Sequence, residues 1–261
     1  MAVQAAVSVE NVSLSYFTPE RETLALSNIS FDINNGEFIA IVGSSGCGKS
    51  TLLSLMSGLI KPSQGSISVG GRAVDAPSPR VGYMFQKDTL LEWRTVLENV
   101  LIGAELLGLD MKAAKIRAKD LLTRYGLGEF LHAFPAQLSG GMRQRAALAR
   151  TLCPDPDLLL LDEPFSALDY QIRLALSEEI AAILRAENKT VILVTHDIGE
   201  AISMATRVVV MSRRPGRIKS EHHISFPSFG ATRPTPLDAR KCPEFAGYFQ
   251  TIWDELDLHQ I

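Results

Sequence analysis

Phe38-Ile39-Ala40-Ile41-Val42-Gly43-Ser44-Ser45-Gly46-Cys47-Gly48-Lys49-Ser50-Thr51 is the stretch that decides the fold. Its first part is a short unbroken apolar run, the pattern of a strand covered on both faces. Gly43 to Ser50 then fits G-x-x-x-x-G-K-[ST] in full and opens a helix predicted over 49–59. Strand, glycine-rich turn and helix, in that order, build a cradle for phosphates. Glycines let the backbone curl round an anion without Cβ clashes, and successive N–H groups at a helix start attract its oxygens. The residues from Gly43 to Thr51 are therefore candidate nucleotide contacts. Lys49 is placed to reach the β- and γ-phosphates and Ser50 to ligate magnesium. Cys47 has two readings. Its thiol could be acidified at a helix N-terminus, or it is a small residue that lends only its backbone amide; the second is preferred, with alkylation blocking ATP by bulk.

Outward from this stretch, residues 7–14 and 29–33 alternate apolar and polar side chains and predict half-buried strands. Shorter strands are predicted at 66–69 and 81–85. After Gln86 the pattern changes. Residues 95–107 and 111–125 carry helix-spaced apolar side chains that stop at Gly108 and Gly126, and 141–152 is a third helix rich in Ala and Arg. This block reads as an inserted helical subdomain. Strands return at 158–161, 191–195 and 207–211, with helices near 173–186 and 199–205 between them, so parallel pairing and an α/β layer fold are expected. Beyond 215, prolines and polar residues break the periodicity until an amphipathic helix at 245–256. Whether that tail covers the core or meets a partner is left open by the sequence.

The strand at 158–161 runs into Asp162-Glu163-Pro164. Ligands of open α/β sheets bind at the carboxyl ends of strands, which is where these acids fall. Asp162 is expected to hold magnesium, and Glu163 to polarise or deprotonate an attacking water. Two acids at a strand end can also simply cap the next helix; beside a complete phosphate loop, the chemical reading is stronger.

Leu138-Ser139-Gly140-Gly141-Met142-Arg143-Gln144-Arg145 resembles the signature motif of ABC-transporter ATPases. Ser166-Ala167-Leu168-Asp169 resembles their D-loop, His196 follows a strand as their switch histidine does, Gln86 matches their Q-loop glutamine, and Tyr16 lies where they place an adenine-stacking aromatic, with Phe17 as its competitor. The resemblance spans roughly residues 7–216. It implies a P-loop NTPase (RecA-like) core with an antiparallel β subdomain and the inserted α-helical subdomain at about 91–152. The nucleotide-binding domain would occupy 1–225, followed by a short C-terminal extension at 226–261. It further implies ATP and Mg2+, with Glu163, His196 and Gln86 at the reacting end and Ser50, Gln86 and Asp162 around the metal. Two copies would sandwich two ATP molecules, Ser139, Gly140, Gly141 and Asp169 of one copy serving the phosphate loop of the other. A helix beginning at Ser139 makes this chemically sensible, because its free amides can meet a γ-phosphate.

Within the family, Leu90-Leu91-Glu92-Trp93-Arg94-Thr95-Val96, Met142 after the paired glycines, and Arg214-Pro215-Gly216-Arg217-Ile218 resemble the nitrate, sulfonate and taurine importer group. Glu92 departs from it, the group usually having Pro there, and so does the tail at 225–240. Importers of thiamine precursors and other small organic ligands share much of the pattern. The resemblance implies transmembrane permease subunits, an external substrate-binding protein acting through them, and a place at the cytoplasmic face of the membrane. The segment at 89–103 would dock the permease. Leu90, Leu91 and Trp93 could serve there, or pack inside the helical block.

The rest of the sequence narrows the classes. Net charge is −3, which disfavours nucleic acid as a partner. Three cysteines lie far apart, without the spacing of a zinc site or disulfide framework. No run of about 20 apolar residues is available to cross a bilayer, and the first residues lack the pattern of a secretory signal. A soluble ABC ATPase acting on ribosomes would be expected to carry two cassettes or basic extensions, and a nucleotide sensor without turnover would not need Glu163, His196 and Gln86 together. His222 and His223, adjacent on a strand, would face opposite ways and are given no shared role.

Overall fold

The computed structural model describes residues 5–19, 21–166 and 169–256. Ten strands and eight α-helices are found among them. Five strands run parallel in a six-stranded sheet: β3 (Phe38–Gly43) lies between β9 (Arg207–Met211) and β8 (Thr190–Val194), followed by β7 (Leu158–Asp162) and β6 (Val81–Met84). β10 (Ile218–His223) closes one edge antiparallel to β9. A second, antiparallel sheet has the order β2 (Glu22–Ile33), β1 (Val7–Phe17), β4 (Gln64–Val69), β5 (Arg72–Ala73).

The apolar strands are apolar throughout because they sit between two cores. Ile39 and Ile41 of β3, Leu158 and Leu160 of β7, and Ile192 and Val194 of β8 pack toward the antiparallel sheet and helix α1 (Lys49–Met56). Phe38, Ala40 and Val42, Leu159 and Leu161, and Val191 and Leu193 face the other core. That core is roofed by α2 (Val96–Leu106), α3 (Met111–Arg124), α4 (Gly140–Leu152), α5 (Tyr170–Ala186) and α6 (Ile198–Met204). The period of two puts successive side chains on opposite faces, so an element buried on both faces cannot show alternation.

Helices α2 to α4 form one block between β6 and β7. Its ends are chemically marked. Thr95 caps α2 with a reciprocal Thr95–Glu98 capping box, Asp110 caps α3, and Ser139 caps α4.

Three boundaries differ from the sequence expectation. β2 begins at Glu22 rather than 29, because the β1–β2 ladder is broken by register shifts near Val12 and Leu14, with Asn11 and Asn28 at φ of +50° and +52°; such irregularities interrupt the alternation that marks a strand. α1 stops at Met56, short of 59, with Gly58 at φ +76°. The region past 215 contains β10, a polar strand whose residues alternate between half-buried and exposed. It is held by backbone bonding to β9 rather than by apolar burial.

The tail is folded. After α7 (Pro236–Ala239), α8 (Pro243–Glu255) buries Ile252 against α6, and Phe245, Phe249 and Trp253 stack in sequence along it. His222 Nε2 lies 2.9 Å from Glu255 Oε2, tying β10 to the end of α8, while His223 is exposed.

Candidate nucleotide site

The loops after β3, β6, β7 and β8 all leave the same edge of the parallel sheet. This is the edge where ligands bind in open α/β folds. Gly43 ends β3, and the turn that follows carries Gly46 and Gly48 at φ of +73° and +111°, a region only glycine enters freely. Gly48 is the N-cap of α1 and supplies no side-chain cap, so the first N–H groups of the helix have no local acceptor from that residue. A Cβ at Gly48 would also lie 2.6 Å from Leu26 Cδ2.

Lys49 is buried, and its ammonium donates to the carbonyls of Gly43 at 2.9 Å and Ser44 at 3.2 Å, folded back along the loop. Ser50 Oγ donates to Asp162 Oδ1 at 3.0 Å, and Tyr83 OH donates to Asp162 Oδ2 at 3.2 Å. Burial pushes the Asp162 carboxyl up; the two hydrogen bonds work against burial. A cavity of about 210 Å3 is lined by Ser45, Gly46, Gly48, Lys49, Ser50, Thr51, Tyr16, Ala25, Glu163 and Arg214. Tyr16 OH lies 3.4 Å from Thr51 Oγ1, whereas Phe17 is exposed and does not line the cavity.

Cys47 is buried with its side chain in the core beneath the loop, and burial pushes its thiol up, with Lys49 opposing. The thought of an acidified thiol is therefore corrected: being shut off from water outweighs the nearby ammonium.

Glu163 stands at the centre. Its φ of +47° is unusual for a residue with a Cβ, and its N–H donates to Val194 O at 2.8 Å. This turn aims its carboxylate between two partners: Gln86 Nε2 donates to Oε2 at 3.4 Å, and His196 Nδ1 lies 3.1 Å from the same oxygen. Gln86 Nε2 also donates to Ser166 Oγ at 3.0 Å, and Ser166 Oγ donates to the Glu163 carbonyl at 3.0 Å. Thus β7 delivers the carboxylate, and the loops after β6 and β8 each bring one side chain to it. Beyond Glu163 lies a larger cavity of about 770 Å3, lined also by Gln86, Asp88, Leu90, Glu92, Arg143 and His196.

The sequence-predicted residues divide into two groups. Tyr16, Gly46, Gly48, Lys49, Ser50, Thr51, Asp162, Glu163, Gln86 and His196 come together, with Gly43 and Ser44 backing Lys49. Ser139, Gly140, Gly141 and Asp169 stand apart from that cavity at the starts of α4 and α5, where Ser139 Oγ accepts from Met142 N and Asp169 Oδ1 from Ile172 N. Ala167 and Leu168 lie outside the described residues. In the 89–103 segment, Leu90 is buried and packs inside the helical block, Leu91 is half-buried and Trp93 is exposed. Sequence reasoning missed Tyr83 and, although it quoted Ser166 in the D-loop-like segment, gave it no contact; they hold Asp162 and Gln86, and their roles depend on β6 lying beside β7 in register, with Tyr83 opposite Leu160.

The donor set suits magnesium. Ser50 and Asp162 offer hard oxygens, and no cluster of three or more His, Cys, Asp or Glu among the described residues forms an all-protein cage. Magnesium held largely by phosphates and water needs none.

Comparison with known proteins agrees with this geometry. The family description "ABC transporter" matches residues 26–166, more than half of the chain, and a second, "AAA domain, putative AbiEii toxin, Type IV TA system", matches 132–203. The chain is 46% identical to the uncharacterized ABC transporter ATP-binding protein YtlC of Bacillus subtilis over 249 residues, covering 95% of each. It is 43% identical over 226 residues to the taurine import ATP-binding protein TauB of Rhizobium johnstonii, covering 87% of this chain and 86% of that one. Among solved structures, the dimeric ATP-binding cassette MJ0796 bound to ADP and Pi superposes with a TM-score of 0.72 at 30% identity, covering 84% of this chain and 99% of that one. No helix among the described residues is long and apolar enough to cross a membrane. With a matching family description, relatives similar over nearly full length, and a phosphate loop facing a poised carboxylate, the chain belongs to the ATP-binding proteins of ABC transporters, a family of ATPases.

Proposed function

We propose that this chain is the ATP-hydrolysing motor subunit of a bacterial importer for a small anionic compound such as nitrate, a sulfonate or taurine. The observation that carries the catalytic reading is the Glu163 carboxylate held between Gln86 and His196 at the mouth of the phosphate loop. The taurine-import relatives and the Leu90 to Val96 and Arg214 to Ile218 segments support the importer class.

ATP enters with its phosphates on the amides from Ser45 to Thr51 and its adenine on Tyr16. Lys49 turns from the Gly43 and Ser44 carbonyls to the β- and γ-phosphates, exchanging two neutral acceptors for charged ones. Ser50 and Asp162, with Gln86, would hold Mg2+, which would supply positive charge to the phosphate oxygens. Glu163 accepts or polarises the proton of the attacking water, and His196 fixes that carboxylate and orients the water toward the γ-phosphate. Ser139, Gly140, Gly141 and Asp169 of a second copy complete the site, as the dimeric state of the MJ0796 cassettes supports. The γ-phosphate then supplies the differential affinity that closes the dimer and moves the permease. Trp93, exposed beside the larger cavity's segment, is a docking contact for that permease at the cytoplasmic face of the membrane.

The test is Glu163→Gln. Turnover should fall about 100-fold or more while ATP affinity stays, because Gln keeps the shape and loses the base; undiminished turnover would remove Glu163 from catalysis. Co-expression with the permease and uptake assays over nitrate, sulfonates and taurine test the substrate class, and failure on all of them sinks it.

A further inference from the structure

We propose that Arg214 is a nucleotide-binding residue whose guanidinium pairs with the phosphate chain at the mouth of the phosphate loop. The inference rests on the nucleotide reading above and adds a second cation to it.

The loop after β9 is fastened to the site by its backbone. Gly216 N donates to Ala25 O at 2.9 Å, and Ser27 N donates to Gly216 O at 3.0 Å, so the loop is stitched to β2. A Cβ at Gly216 would lie 2.2 Å from the carbonyl oxygen of Cys47. Only glycine permits this approach, so Gly216 seats the loop directly on the phosphate loop. Ser212 closes its base: Ser212 N donates to Arg217 O at 2.9 Å, and Arg217 N donates to Ser212 Oγ at 3.0 Å.

Two residues before Gly216, Arg214 is exposed and lines the cavity with Ser45, Gly46 and Lys49. Its guanidinium forms no ion pair with an acid of the described residues. The cavity's charged lining is Lys49, Arg214 and Glu163, two cations to one acid, which favours a ligand of several negative charges. Arg214 is the cation that reaches the cavity from outside the loop. A guanidinium fits phosphate oxygens in a fork and holds its charge at every working pH. Tyr16 is the aromatic of the same lining, so a base has a ring to stack on and the phosphates are the ligand part that the two cations match.

The experiment is titration of MgATP into the purified full chain at low and high salt, with Lys49→Ala as the control. Arg214→Ala should weaken binding about tenfold at low salt, with the deficit shrinking to roughly threefold or less near 1 M salt, and Arg214→Lys should recover most of the loss. Wild-type protein that binds no nucleotide would overturn the underlying reading. Wild-type binding that Lys49→Ala abolishes and Arg214→Ala leaves unchanged would overturn this inference alone. So would a loss that lysine does not recover or that salt does not diminish, since either would assign Arg214 to stacking on the base or to the shape of the loop.

Discussion

Two helices of this molecule have glycine at their starts, as the N-cap of α1 and as the first residues of α4, and their surroundings are opposite. α1 starts at Gly48, without a side-chain cap, inside a cavity that the chain itself walls with Lys49, Ser50, Tyr16, Glu163 and Arg214. α4 starts at Ser139, which caps it with a 3.3 Å bond from Met142 N, and its first residues are exposed or half-buried. Both present the same device, unsatisfied amides at the positive end of a helix dipole. The first is enclosed by its own chain and the second is open to whatever approaches. α6 shows a third condition. Asp197 caps it, and Glu200 in its first turn is buried with Thr195 Oγ1 donating to it at 2.7 Å, so this helix start is filled by the chain's own acids. One physical device thus occurs enclosed by the chain, open to solvent and filled by the chain's own acids, and the difference lies in what surrounds it.

The largest expected effect is at the enclosed start. Lys49→Ala should weaken MgATP binding at least 100-fold and abolish turnover, since Lys49 is the buried cation of the phosphate loop, held on its Gly43 and Ser44 carbonyls and free to exchange them for phosphate oxygens. Calorimetric titration checks it, and retained affinity would break the comparison at its stronger end.

The open start should respond differently. A Cβ at Gly141 would meet Ile172 Cγ2 at 3.8 Å, an ordinary contact, so this chain's own fold has no need of glycine there. Gly141→Ala should fold as well as wild type or roughly 0.5 kcal/mol better. Its ATP affinity as a single copy should be unchanged, while steady-state ATPase activity falls at least tenfold, because in the proposed two-copy site the added methyl would meet the other copy's phosphate. Full activity with full stability would show that this helix start is not part of a composite site.

The filled start should leave nucleotide binding and turnover unaltered, and its effect appears in stability alone. Burial pushes Glu200 up to about 7 from an ordinary 4.5, against the hydrogen bond from Thr195, with Asp197 adding to the rise and Arg173 and His196 opposing it. The unfolded chain gives up this proton first, so Glu200 costs nothing at low pH. It lowers stability as pH rises from about 4.5 to about 7, by at most about 3 kcal/mol, and the cost is constant above that. Urea unfolding at pH 5 and pH 8 should therefore show a smaller pH-dependent loss in Glu200→Gln than in wild type. An identical loss in both would mean that the acid is not kept protonated by its surroundings.

Much of the catalytic end was legible from one dimension. The phosphate loop and Asp162-Glu163 are local patterns, each set by the strand it ends, and strands buried on both faces announce themselves as unbroken apolar runs. The weaker residues, His196, Gln86 and Tyr16, were found through the order of motifs. β10 and the first half of β2 were not legible. The first is a polar edge strand, and the second pairs through register shifts, so backbone hydrogen bonds rather than apolar spacing define both. In the tail the amphipathic helix at 245–256 was legible, but not that α6 is the partner it packs on, because that contact joins segments far apart in the sequence.

The sequence by itself determined that a nucleotide's phosphates could be gripped, by which loop, and which acid would face them, because those properties reside in contiguous residues and their backbone preferences. Tertiary structure alone decided that Tyr83 and Ser166 support the acid and the glutamine, that Cys47 is sealed from water, and that Arg214 stands at the cavity. Each of these depends on register and close approach between segments far apart in the chain, which no local pattern encodes.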